Sequence, residues 1–146
     1  MKKFQLFLVL FSLSSLIFAS SPGNNGSPDC LTDKELVGAI YEGFNEVGTY
    51  IDKCSVINLE EGNTLMMSFE TVANAEKKLL TSFYGGGSLG PKACTEINVV
   101  VVVLKKVGEY LVAGAKISDC TRLAQKSISW EDFLNNCIYY KTISNY

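Results

Sequence analysis

At 146 residues, with 13 basic and 15 acidic side chains, the chain has the size of one domain and a formal charge of −2 at neutral pH. It contains no histidine, which excludes Ser-His-Asp and Cys-His nucleophile systems, histidine zinc sites and the usual proton shuttle near neutral pH. Beyond the N-terminus its lysines pair only at Lys77-Lys78 and Lys105-Lys106, so the basic face of a nucleic-acid binder is not expected.

Met1-Lys2-Lys3 is followed by an apolar run from Phe4 to Phe18, then by Ala19 and the polar Ser20-Ser21-Pro22-Gly23. A positive start, a short apolar stretch and a small residue at its end predict a secretory signal peptide over residues 1–19. The run falls short of the about 20 apolar residues of a spanning helix, so no transmembrane anchor is expected. Removal of Lys2 and Lys3 would leave 11 basic against 15 acidic residues, a net charge of about −4. The mature protein is expected outside the cell or in the lumen of the secretory route. Residues 20–29 read as a flexible leader with no apolar side chain to bury. Asn25-Gly26-Ser27 within it is a glycosylation sequon, although Pro28 directly after it disfavours use.

Residues 30–146 are expected to fold as one all-α domain, an up-and-down bundle of four helices stapled by about two disulfides. Thr32 and Glu35 form a capping box flanked by Leu31 and Leu36, and Ile40, Phe44, Val47, Ile51 and Cys54 continue at helical spacing, which predicts a first helix reaching Cys54. A second is predicted from Thr64 to Tyr84, with Leu65, Met66, Phe69, Leu79, Leu80 and Phe83 on its apolar stripe and Gly85-Gly86-Gly87 as its stop. Ile97 to Ile117 is the ambiguous stretch. Its five consecutive valines, Val99 to Val103, favour a strand by propensity, but the apolar content runs on through Tyr110, Leu111 and Ala113, longer than an ordinary strand, and predicts a third helix. Aligning Cys54 on Cys120 also matches Phe44 with Tyr110 and Ile51 with Ile117, as if two helical halves were related. A fourth helix is predicted from Trp130 to Lys141, capped by Ser129 and Asp132.

Five cysteines in an oxidising compartment predict disulfides with one thiol left over. A helix of about 23 residues is roughly 35 Å long and a disulfide needs Cα atoms within about 7 Å. In such a bundle Cys30 therefore cannot reach Cys54. The expected bonds are Cys54–Cys120 and one more, best placed between Cys30 and Cys94, with Cys137 as a buried inert thiol or an intermolecular one. The cysteines are too far apart in sequence for a metal site, and no phosphate-binding loop is present, so neither metal nor cofactor is expected. Glu60-Glu61 and Glu131-Asp132 could serve as paired carboxylates, but their placement near helix N-termini is the simpler reading.

A third helix that is apolar all round needs cover on every side. The cover would be an apolar ligand, a lipid surface, another copy of the protein, or simply the neighbouring helices. The expected function is therefore that of a secreted, non-catalytic protein binding a small apolar molecule or lipid between its helices, contacted by Val99, Val103, Tyr110, Met66 and Phe69. The alternative is a self-assembling secreted component, such as granule content or an extracellular coat.

Overall fold

The structure, a computed structural model, describes residues 29–144. The predicted signal peptide, all but the last residue of the leader, and Asn25 lie outside the described residues. In chain order the elements are helix α1 (Asp33–Glu46), strands β1 (Lys53–Leu59) and β2 (Gly62–Phe69), helix α2 (Ala75–Leu89), a 3₁₀ turn over Gly90–Lys92, strands β3 (Val99–Lys106) and β4 (Glu109–Lys116), helices α3 (Ile117–Ala124) and α4 (Trp130–Asn136), and strand β5 (Tyr139–Ser144). The five strands form one mixed sheet in the order β1-β2-β3-β4-β5, antiparallel except where β2 and β3 run parallel. This α/β architecture replaces the expected four-helix bundle.

The correction begins with the valines. Val99 to Val103 lie in β3, with Val100 and Val102 fully buried against the helices and Val99 and Val101 on the opposite face. A central strand with both faces apolar reads as a continuous β-branched run, and such a run has no helical or alternating period to detect. The apolar stretch is too long for one strand because it is two. Lys106 pairs with Glu109 across the two-residue turn Val107-Gly108, where Gly108 takes φ 79°. The same device joins β1 to β2: Leu59 pairs with Gly62 across Glu60-Glu61, and Gly62 takes φ 109°. Glu60 and Glu61 thus sit in a hairpin turn, not at a helix start. The supposed relation between halves also dissolves, since Cys54 is in a strand and Cys120 in a helix.

Local capping signals are realised as written in the sequence. Glu35 N–H donates to Thr32 Oγ1 at 3.2 Å and Thr32 N–H to Glu35 Oε1 at 3.1 Å, starting α1, while Asp132 N–H donates to Ser129 Oγ at 3.0 Å, starting α4. The C-terminal ends differ from expectation. α1 stops at Glu46, where Gly48 at φ 69° turns the chain, and α4 stops at Asn136, so that Tyr139 to Lys141 belong to β5.

Gly85-Gly86-Gly87 does not terminate a helix; α2 runs through it to Leu89. The three glycines trade helix propensity for proximity. A β-carbon on Gly86 would come within 2.7 Å of Val100 Cγ2, and one on Gly87 would overlap the Cys120 carbonyl. Removing those β-carbons lets α2 lie directly on β3 and α3, which is why most of its length is buried.

All four helices feed one hydrophobic cluster on one side of the sheet: Ile40 and Phe44 from α1, Leu80 and Phe83 from α2, Leu123 from α3 and Phe133 from α4, against Leu65, Met67, Phe69, Val100, Val102 and Leu104 of the central strands. Phe44 meets Phe69 at 5.5 Å between ring centroids and Phe83 meets Phe133 at 5.2 Å, spacings at which aromatic pairs attract.

Cys30 and Cys94 form a disulfide, their Cα atoms 4.8 Å apart. The cause is strand-like rather than bundle-like. Leu31 N–H donates to the Lys92 carbonyl and Cys94 N–H to the Leu31 carbonyl, which holds the two segments side by side. Cys54, Cys120 and Cys137 are thiols, so the expected Cys54–Cys120 bond is not formed. Cys54 lies in the edge strand β1, Cys120 in α3 beside β3 and β4. Two to three strand spacings of about 4.8 Å already exceed the reach of a disulfide.

Burial raises the Cys54 thiol from 9.0 to about 12, and burial, with Asp119 next, raises Cys120 as well. Below about pH 9 both folded and unfolded Cys54 keep the proton and stability is unaffected. Above it the unfolded chain ionises first, so Cys54 alone should lower stability by about 1.4 kcal/mol per pH unit until about pH 12, and Cys120 should add to that decline. Urea midpoints across that range should show the decline, and Cys54→Ala should reduce its slope.

Candidate functional site

The face of the sheet away from the helices follows from the register. Pairing sets Met66 beside Val101, Ser68 beside Val103, Val101 beside Gly114, Val103 beside Val112 and Lys105 beside Tyr110, all pointing the same way. Val99 and Val101 stand outside the hydrophobic cluster that unites the helices with the other face, and so do Met66, Val103 and Val112. Among the described residues, no helix contributes to this second apolar face. The valines at its centre are nevertheless buried, with Val99 7 % and Val101 8 % exposed, whereas Met66, Val103, Tyr110 and Val112 around them are half-buried.

Tyr139 completes the face. It pairs with Gly114, and its ring lies where a Gly114 side chain would be, so that an aromatic covers the glycine backbone. Tyr139 is itself 46 % exposed, and its hydroxyl is pushed above the usual tyrosine range by burial first and the charge of Glu61 second. At the next open-face positions of β5 come Lys141 and Ile143.

The electrostatics divide by layer. The four helices hold eight acidic and four basic residues. The five strands hold five basic residues and one acidic residue, Glu109, which pairs with Lys106. Register puts Lys53, Lys105, Lys116 and Lys141 on the open face and Lys106 and Glu109 off it. Lys105 is held by Glu70 at 3.0 Å and Asp52 at 3.3 Å, and these hydrogen bonds raise its pKa. Lys53, Lys116 and Lys141 have no ion-pair partner among the described residues and are exposed.

Of the residues singled out in the sequence, Met66, Val99, Val103 and Tyr110 therefore lie together on this face. Phe69 does not: it points into the helix-side core. Sequence reasoning missed Val101, Val112, Gly114 and Tyr139. The alternation Tyr110, Val112, Gly114, Lys116 was the available signal, obscured by the small apolar residues between them. The expected interhelical cavity is not what these residues line. Hollows of about 750 Å³ beside Tyr41, Asn45 and Tyr50, about 530 Å³ beside Pro91, Ile97 and Ile117, and about 220 Å³ beside Thr71 and Lys77 are all open to solvent and lie elsewhere. Glu131 and Asp132 occupy the exposed first turn of α4, with no metal-binding group of His, Cys, Asp or Glu among the described residues. No helix of the described residues is long and apolar enough to cross a membrane. Compared with known proteins, the chain matches no protein family, no curated protein and no solved structure.

Proposed function

We propose that this is an exported, non-catalytic binding protein that contacts an apolar or lipid partner through the open face of its sheet. The observation that carries this reading is the second apolar face of β3, centred on Val99, Val101 and Val103, which no described helix covers. A sheet normally buries one face and wets the other, and a wet face alternates to polar residues; here the alternate residues are valine and methionine. Export is supported by the N-terminal sequence and by the Cys30–Cys94 disulfide, a bond that persists in oxidising compartments. The non-catalytic reading rests on the lack of histidine and on carboxylate pairs placed at a turn and at a helix start. An apolar fluorescent probe should bind saturably, and Val103→Asp should abolish binding while leaving the circular dichroism unchanged. Saturable binding that survives Val103→Asp would move the site elsewhere.

A second reading, self-assembly, is favoured by one feature. β5 is an edge strand whose six residues are all exposed, and the partly exposed Cys137 lies two positions before it. An uncapped edge is a template for another strand. On this reading sedimentation should show a dimer or larger species that Ile143→Pro or Cys137→Ser converts to monomer.

A further inference from the structure

From the charge carried by the apolar face we infer that its partner is an anionic bilayer surface, an assignment that deepens the reading above and rests on it. The centre of the face, from Val99 to Val103 with Val112 and Gly114, presents no charged side chain. Around it stand tyrosines and lysines. Tyr110 and Tyr139 are amphipathic side chains suited to the boundary between acyl chains and headgroups, and lysine buries its methylenes there while its ammonium reaches phosphate.

Lys116 and Lys141 have no ion-pair partner among the described residues, and no strand places an acid on this face. The helices hold four more acidic than basic residues in a layer about 10 Å further away, beyond the screening length of about 8 Å at physiological salt. The connecting segments hold the same excess, but Asp52 and Glu70 there are engaged by Lys105 and Glu61 lies near Tyr139, which leaves Lys53, Lys116 and Lys141 as the unpaired charges of the face among the described residues. An overall acidic protein can thus present a cationic surface to a membrane. Val107, 99 % exposed at the tip of the β3–β4 hairpin between Lys106 and Gly108, adds an apolar side chain at one end of the same sheet.

Other occupants fit less well. Two copies packed sheet to sheet would set lysines against lysines. A second copy's helix layer has the complementary charge, but most large exposed apolar side chains belong to the strands and their turns: Leu59, Val107, Tyr139, Tyr140 and Ile143. A small molecule would need a concavity, and the three hollows described above lie elsewhere.

The test is co-sedimentation of the protein, purified from a secreting host, with vesicles of phosphatidylcholine alone or mixed with phosphatidylserine. Binding should favour the phosphatidylserine vesicles and weaken as salt is raised. Each lysine at an anionic surface changes affinity roughly fivefold, so Lys116→Gln with Lys141→Gln should weaken binding about 25-fold, whereas Lys34→Gln in the helix layer should not. Both substitutions lie at exposed positions and leave the core untouched. Equal binding to both vesicles would overturn the anionic assignment and leave the apolar-face reading standing. Probe binding without vesicle binding would overturn the bilayer. A dimer dissolved by Val101→Glu would give the face to a second copy instead. Failure to bind vesicles and probe alike would overturn both this inference and the reading beneath it.

Discussion

Replacing Gly87 by valine is expected to lower stability by about 4 kcal/mol, a large part of the roughly 5–15 kcal/mol that holds an ordinary domain folded. A β-carbon at this position would occupy the space of the Cys120 carbonyl, and the next nearest atoms are also backbone, so no side-chain rotation relieves the overlap. Overpacking against side chains costs about 1–3 kcal/mol; displacing α3 from α2 should cost more. Gly38 in α1 supplies the control, because it is exposed and nothing lies within 4 Å of an added β-carbon. Gly38→Ala should therefore stabilise by about 0.5–1 kcal/mol through helix propensity. Thermal melts of the two variants should move in opposite directions. A neutral Gly87→Val would show that α2 and α3 do not touch as described.

The disulfide should have an effect of similar size. Cys30 and Cys94 are 64 residues apart in sequence, and closing a loop of that length in the unfolded chain is worth about 4 kcal/mol. The double variant Cys30→Ser, Cys94→Ser should lose about that much in urea unfolding, with the released segment ahead of α1 exchanging its amide hydrogens fastest. The loss should not be mimicked by Cys54→Ala beyond the cost of a small cavity, since Cys54 bonds no other cysteine.

What the sequence showed was local chemistry, and what it hid was tertiary. Thr32 with Glu35 and Ser129 with Asp132 started helices because a cap is a contact between residues three apart, readable without the fold. The ends of those helices and the sheet itself depended on partners far away. Val99 to Val103 became a strand because β2 and β4 lie on either side of it, and Gly85 to Gly87 stayed helical because Val100 and Cys120 need their closeness. Propensity did point to a strand at the valines. The length of the apolar stretch argues for a helix only if it runs unbroken through Val107-Gly108, and the glycine there makes a turn of two residues. The candidate face was half legible for the same reason. At helical spacing Val99, Val103 and Tyr110 already share a side, but the same spacing sets Val101 opposite them and leaves Met66 and Phe69 unsorted. With period two the sorting follows at once: Phe69 falls to the core and Val101 joins the others.

That sorting can be measured directly. In methyl NMR spectra, titration with an apolar probe or with anionic vesicles should perturb the methyl signals of Val99, Val101, Val103 and Val112 while those of Val100 and Val102, one residue away in the same strand, stay in place. Perturbation of Val100 and Val102 instead, or of all the β3 valines equally, would put the partner among the helices and contradict the open sheet face as the binding surface.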